Sequence, residues 1–155
     1  MTEGQRDTFP KSERLRHKTL VDGLFACGRS KFEYPLRMVY RPLTGTELEA
    51  AFRIGVPDRV APLQVMFTVP KKKRRHAVDR VLMRRRMREC WRLSRRRLRE
   101  AVERHPGLRT LSVALIYSAD RNIDSARIAA KTDALIQKLL TELARGAEAP
   151  EDIQG

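Results

Sequence analysis

The chain has 155 residues, a length that suits one domain, because single cores usually occupy about 100 to 200 residues. Apolar residues make up 41% and charged residues 34%, which excludes wholesale disorder. Lys and Arg outnumber Asp and Glu by 33 to 19, and the net charge of +14 indicates a polyanionic partner, nucleic acid first and an anionic membrane second. Cys27 and Cys90 are too few for a disulfide framework, and no apolar run resembles a membrane span or a signal peptide. We therefore expect a cytoplasmic protein with free thiols.

The first third of the chain is predicted to form an arm, a helix and a strand. A flexible arm over residues 1–12 precedes a helical pattern of apolar residues that runs over 12–28. Apolar residues then alternate over 34–40, with Arg37 and Arg41 on the other face, which predicts a half-exposed strand.

Four further elements and the basic helix complete the predicted fold. Residues 51–56 are predicted as a short strand, 63–69 as a stronger strand and 111–117 as a central strand, and an amphipathic helix follows over 123–143. This order of elements predicts an α+β fold with helices packed against one sheet. We divide the chain into a flexible arm over 1–12, a single domain over 13–144 and a loose polar tail over 145–155.

One long helix is predicted over residues 77–104. At about 100° per residue, its apolar side chains share one stripe, which is typical of core packing, and its arginines lie on the opposite side. The stripe consists of Met83, Met87, Cys90, Trp91, Leu98, Ala101 and Val102. The arginine face consists of Arg84, Arg85, Arg88, Arg92, Arg95, Arg96 and Arg99.

Almost all of the net charge is concentrated in residues 71–99. This segment holds 15 Lys or Arg against only Asp79 and Glu89, whereas the rest of the chain is nearly balanced. A solvated helix face usually mixes both signs, and like charges at this density repel each other unless an anion binds them. The cluster therefore indicates nucleic-acid binding better than a merely soluble surface.

Catalytic and metal-binding patterns are not evident in the sequence. His17, His76 and His105 lie in different segments without metal-ligand or catalytic spacing, and the few glycines form no phosphate-binding loop. We expect no catalytic residue, no metal ligand and no cofactor bound by the protein alone.

The stretch Phe67–Leu93, FTVPKKKRRHAVDRVLMRRRMRECWRL, resembles the signature of the bacterial ribonuclease P protein subunit, in which a strand ends in two lysines and a basic Arg-Asn-Arg helix follows. Phe9–Ser30 and the strand LSVALIY with its following helix are similar to the opening and closing segments of that family. The resemblance implies a ribosomal S5 domain 2-like fold, with about four strands, three helices and a left-handed crossover through the basic helix.

The resemblance also implies a function. Members of the family are small subunits of a ribonucleoprotein that removes the 5′ leader from precursor tRNA. The RNA subunit is the catalyst and uses Mg²⁺ in the holoenzyme, so the implied partners are the catalytic RNA and precursor tRNA. The protein is expected to be a monomer within that complex and not to bind a membrane.

The resemblance implies two binding surfaces, whose residues are identified by matching positions in this sequence to the family motifs. On the helix that contacts the catalytic RNA, Arg80 matches the first arginine of the motif, and Val81 and Leu82 replace the family's Asn and second Arg. The catalytic-RNA contacts expected are Arg80, Arg84, Arg85, Arg88 and Arg92. The leader is expected in a cleft between the first helix, the sheet and the basic helix, with contacts from Phe25, Val21, Tyr40, Arg41, Lys71 and Lys72. An aromatic ring in such a cleft could stack on an unpaired base, although core packing explains Phe25 and Tyr40 equally well.

Two other functions remain open on the sequence. A general RNA-binding structural protein, such as a ribosomal component, would use the same charge and fold. A peripheral membrane protein would use the basic amphipathic helix, but the apolar stripe of that helix is better explained by a core.

Overall fold

A computed structural model describes residues 9–52, 55–57 and 60–148. Four strands form one sheet in the order β1-β2-β4-β3. Strand β2 is antiparallel to both of its neighbours, β1 and β4, and β3 is parallel to β4. The strands are β1 (Arg29–Glu33), β2 (Leu36–Leu43), β3 (Leu63–Thr68) and β4 (Thr110–Tyr117). The helices are α1 (Lys18–Cys27), α2 (Gly45–Ala51), α3 (Ala77–Ser94), α4 (Arg96–Arg104) and α5 (Ser125–Glu148). The α+β prediction is therefore confirmed, and the hand of the crossover from β3 to β4 stays a prediction.

Each face of the sheet carries its own core. In β4, Val113, Leu115 and Tyr117 are buried in a large cluster with the apolar stripes of α3, α4 and α5, whereas Ala114 belongs to a smaller cluster with residues of α1 and α2. The two-residue period of a strand accounts for this division. Both faces of β4 are covered, which explains why its sequence is almost continuously apolar.

The first helix begins at Lys18, not at residue 12 as predicted. Lys11–Glu13 form a single 3-10 turn, and the chain then runs beside β3, where the Leu15 amide donates to the Val65 carbonyl at 2.9 Å. Edge pairing thus replaces the helical turn that the apolar spacing suggested, because it satisfies the open edge of β3.

Two strand predictions in the first half also need correction. The predicted strand over 34–40 is β2, but it begins at Leu36, after a turn that follows the unpredicted strand β1. The strand predicted over 51–56 is wrong in its described part. Ala51 ends helix α2, which starts with a capping box: the Thr44 hydroxyl accepts from the Glu47 amide, and the Glu47 carboxylate accepts from the Thr44 amide. Residues 53 and 54 lie outside the described residues.

The long basic helix is interrupted at Arg95, which separates α3 from α4. The Arg95 side chain is buried, and its Nε lies 3.0 Å from Oε1 of the buried Glu13. Its prediction on the exposed arginine face was therefore wrong, because a carboxylate from the N-terminal segment draws it inward. The predicted apolar stripe is confirmed: all of its members are buried except the half-buried Ala101.

Parts of the predicted arm and tail belong to the described structure. Phe9 packs edge-to-face on Phe67, and α5 continues through Glu148, beyond the predicted end of the domain. Residues 1–8 and 149–155, which make up the rest of the arm and the tail, lie outside the described residues. Within the described part of the chain, no helix is long and apolar enough to cross a membrane.

Candidate RNA-binding surfaces

Arg74 of the loop between β3 and α3 and Arg80 of the first turn of α3 hold this loop in shape. Arg80 Nη1 donates to the carbonyl oxygens of Arg74 at 3.0 Å and Arg75 at 2.8 Å. Arg74 in turn pairs with Asp79 at 3.0 Å and donates to the Asp120 carbonyl at 2.7 Å. Arg80, predicted as an RNA contact, therefore acts first as a positioning residue for the loop.

Lys71 and Lys72 are exposed on this loop, after Val69 and Pro70, which follow the end of β3. Across the described residues, neither lysine has an acidic partner within 4 Å. The ordered loop thus presents two ammonium groups at the end of the sheet, next to the start of the basic helix.

The outer face of α3 carries the arginines that are available to an anion. Arg85 and Arg88 are exposed and Arg84 is half-buried, and none of the three has an acidic partner within 4 Å in the part of the chain that the structure describes. Arg92 differs, because its Nε lies 3.2 Å from Glu89 Oε1. The structure therefore places Arg84, Arg85 and Arg88 together as a cationic face, with Arg92 already engaged beside it.

Not every arginine of the cluster faces outward. Arg86 Nη1 donates to the Ile123 carbonyl at 2.6 Å, and Arg97 contacts Gln137 and Asp133 on α5. These two side chains attach the basic helix to the rest of the domain. Val81 is exposed where the family motif has Asn, so the first turns of α3 present an apolar side chain there.

A second surface lies on the α1 side of the sheet. Phe25 is 50% exposed near the end of α1, and Val21 is half-buried one turn earlier. Arg41 reaches from β2 across α1 at Gly23, where an added Cβ would lie only 2.2 Å from Arg41 Nη1. Glycine at this position lets the guanidinium lie against the helix. Gly23 is about 200° around the helix axis from both Val21 and Phe25, so Arg41 lies on the other flank of α1 from those two side chains.

Tyr40 does not belong to that surface. It is 1% exposed and packs in the core on the opposite face of the sheet, where its hydroxyl donates to Glu142 at 2.6 Å. Consecutive strand residues point to opposite faces, so Tyr40 and Arg41 cannot line the same cleft. Val39, not Tyr40, lies on the Arg41 side, and the prediction of Tyr40 as a leader contact is wrong.

Two residues of the α1 side were missed by sequence reasoning. Phe32 of β1 pairs with Arg37 of β2, and both side chains are exposed. The same row continues through Ile116 and Thr68, next to the loop that carries the lysines. The alternating pattern of the sequence already placed Arg37 on the polar face of its strand. The position of Phe32 could not be predicted, because strand β1 was not recognised.

The described residues contain no cluster of three or more His, Cys, Asp or Glu that could hold a metal ion. Burial raises the pKa of the Cys90 thiol, with smaller contributions from Glu89 and Asp133 in the same direction. Cys90 is buried in the core beside α5, so this environment stabilises a neutral thiol.

The molecule is thus a basic α+β domain with one arginine-rich helix face and one partly open sheet face. A family model described as "Ribonuclease P" matches residues 9–140. The ribonuclease P protein component of Porphyromonas gingivalis strain W83 is 30% identical over 116 residues, which cover 75% of this chain and 76% of that protein. The chain therefore belongs to the ribonuclease P protein family.

Solved structures share the fold. The Staphylococcus aureus RNase P protein superposes with a TM-score of 0.53 at 13% identity, over 83% of this chain and 96% of that chain. The Thermotoga maritima RNase P protein gives a TM-score of 0.52 at 18% identity, over 81% and 96% of the two chains. At these identities the likeness concerns the fold alone.

Proposed function

We propose that this chain is the protein subunit of a ribonuclease P. It binds the catalytic RNA through the outer face of α3 and holds the 5′ leader of precursor tRNA on the α1 side of the sheet. The RNA subunit, with Mg²⁺, carries out the cleavage, and this chain contributes binding and positioning.

The observation that carries the proposal is the cationic face of Arg84, Arg85 and Arg88. These guanidinium groups lack acidic partners among the described residues, and each could neutralise a backbone phosphate. Recognition of this kind reads the shape and charge of an RNA helix, because side chains do not read bases in the deep groove of A-form RNA.

The leader surface is supported by its chemistry. On the α1 side, the exposed ring of Phe25 and the guanidinium of Arg41 lie on the two flanks of α1. Phe32 and Arg37 pair an exposed ring with a cation in a row that runs towards Lys71 and Lys72. Aromatic rings that stack on bases, interspersed with cations that contact phosphates, are the usual means of holding a single strand without strict sequence preference.

The test is cleavage of a precursor tRNA by a bacterial ribonuclease P RNA at limiting Mg²⁺, with and without this protein, with mature tRNA as the binding control. We expect faster cleavage and tighter binding of the leader-bearing tRNA by the assembled complex. Absence of stimulation would contradict the proposal. RNA binding without leader preference would instead indicate a general RNA-binding structural protein.

A further inference from the structure

A cavity of about 400 Å³ lies between the N-terminal segment, the edge strand β3 and α3. Phe9 and Phe67 line it, with ring centroids 5.9 Å apart in an edge-to-face arrangement. Arg14, Arg84 and Arg88 line it as well. Its lining residues include none from α1, so it is separate from the surface proposed for the leader.

The three arginines give this cavity its charge. Arg84 and Arg88 are one helical turn apart on α3, and the Arg14 guanidinium lies 5.5 Å from the centroid of the Phe9 ring. Across the described ranges none of the three has a carboxylate within 4 Å, so their charges are available to a bound anion. A guanidinium can donate two parallel hydrogen bonds to a phosphate.

The backbone of β3 adds hydrogen-bonding groups to the same place. The Leu15 amide donates to the Val65 carbonyl at 2.9 Å on the outer side, and the Leu111 amide donates to the Pro62 carbonyl at 2.8 Å on the β4 side. Because backbone groups of a parallel strand alternate between its two neighbours, Phe67 directs its N–H and C=O outward, beyond the point where edge pairing ends. One donor and one acceptor side by side match the edge of a nucleobase.

We propose that this cavity takes one unpaired nucleotide of the RNA that the protein binds. The base lies against Phe9 and Phe67 and pairs with the Phe67 backbone, while Arg14, Arg84 and Arg88 contact its phosphates. The volume falls within the range of about 300 to 1,000 Å³ that is usual for sites of this size. The inference rests on the proposed function for its partner and adds to that function a site for a single extruded base.

The first experiment measures the binding of adenosine 5′-monophosphate and ribose 5-phosphate to the protein by NMR. The two ligands carry the same phosphate, so only the base distinguishes them. We expect adenosine monophosphate to bind roughly 5- to 150-fold more tightly, the equivalent of about 1–3 kcal/mol per stacked base, with nuclear Overhauser effects to the Phe9 and Phe67 rings. Equal affinities, or effects confined to Phe25, would overturn the proposal.

A matched pair of variants tests the aromatic contact. Phe67→Leu keeps the apolar volume of the side chain but removes the ring, and Phe52→Leu makes the same change at a half-buried phenylalanine that packs on His17 away from the cavity. We expect Phe67→Leu to reduce the preference for adenosine monophosphate at least about fivefold and Phe52→Leu to leave it unchanged. Equal effects of the two variants would overturn the proposal, and matching thermal midpoints establish that both are folded.

The same variants, assembled with a bacterial ribonuclease P RNA, separate this inference from the proposed function. If the wild-type protein does not bind the RNA, the proposed function fails. If the wild type binds and Phe67→Leu binds equally well, the cavity alone is refuted. If Phe67→Leu weakens RNA binding and Phe52→Leu does not, the result supports both the proposed function and the nucleotide site in the cavity.

Discussion

The hydroxyl of Tyr40 donates a hydrogen bond of 2.6 Å to the carboxylate of Glu142, which joins an inner strand of the sheet to the last helix. Arg29 and Lys31 also reach that carboxylate, each at 2.9 Å, and both cations lie 5.5 Å from the centre of the Tyr40 ring. The ring is thus enclosed on the face of the sheet opposite α1.

Removal of the Tyr40 hydroxyl should affect stability and not leader recognition. We expect Tyr40→Phe to cost about 1.5–3 kcal/mol of unfolding free energy, the usual value of a hydrogen bond to a charged group. The ratio of precursor to mature tRNA affinity in the assembled complex should stay the same. Phe25→Leu should have the opposite effect: it should lower that affinity ratio with little change in stability. A lowered ratio in Tyr40→Phe would show that Tyr40 contacts the leader after all.

The contacts of Glu142 with Tyr40, Arg29 and Lys31 should make the unfolding free energy depend on pH in the acidic range. Burial raises the pKa of Glu142, but hydrogen bonds from Tyr40 and Lys31 and the charge of Arg29 outweigh it, so the pKa of the carboxyl lies below its ordinary value of 4.5. Because the unfolded chain binds the proton more readily, this stabilisation is complete above that ordinary value and is lost as the pH falls through the lowered one. Urea unfolding at several pH values over this range should show that the unfolding free energy of Glu142→Gln falls less steeply with acid than that of the wild type. An equal fall in the two proteins would contradict the assignment.

The cationic face of α3 should determine the salt dependence of RNA binding. Arg85→Ala combined with Arg88→Ala should weaken binding to the catalytic RNA. The slope of log affinity against log salt should fall by roughly 0.7–0.9 for each phosphate that the protein no longer neutralises. Arg104→Ala removes an exposed charge outside residues 71–99 and serves as the control. An unchanged slope in the double variant would remove Arg85 and Arg88 from the interface.

Trp91 should be a major contributor to stability. Its side chain is fully buried in the large core between α3 and the sheet. Truncation of a buried tryptophan to alanine typically costs about 3–5 kcal/mol, and we expect that loss in chemical denaturation of Trp91→Ala. Leu93, two residues away and 57% exposed, provides the comparison, because Leu93→Ala should change stability by less than about 0.5 kcal/mol.

Removing only one partner of the buried Glu13–Arg95 pair should lower the unfolding free energy more than replacing both partners with apolar residues. Burial raises the pKa of Glu13 although Arg95 and Arg99 act in the opposite direction, so the arginines do not fully offset the desolvation of the carboxylate. Glu13→Leu alone should destabilise by roughly 3–5 kcal/mol, whereas Glu13→Leu with Arg95→Met should recover most of that stability. A double-mutant cycle measures the difference, and additive effects would show that the two side chains act independently.

Periodicity in the sequence was sufficient to predict the elements that have a strong apolar pattern. Strand β3, strand β4, helix α5 and the buried stripe of α3 all follow from spacing, since each has one chemically distinct face. The unpredicted elements lack such a pattern. Strand β1, with the sequence RSKFE, is mostly polar, and α2 depends on the Thr44–Glu47 capping box.

For the proposed binding surfaces, the sequence predicted where positive charge is concentrated but not the direction in which every side chain points. Sequence spacing correctly placed Arg84, Arg85 and Arg88 on the outer face of α3. Arg80 and Arg95 differ because their partners, the carbonyls of the preceding loop and the carboxylate of Glu13, come from outside the helical pattern. Resemblance to a family likewise could not show that Tyr40 faces the core.

The sheet order β1-β2-β4-β3 has a consequence for how the protein forms during synthesis. The strand that joins the two halves of the sheet, β4, ends at Tyr117, so a ribosome must make most of the chain before β2 and β3 acquire their shared neighbour. Until then the nascent chain exposes the apolar side chains of β3 and the uncompensated positive charge of α3. Strands that are distant in sequence pair late, and this domain therefore completes its fold only after β4 has been synthesised.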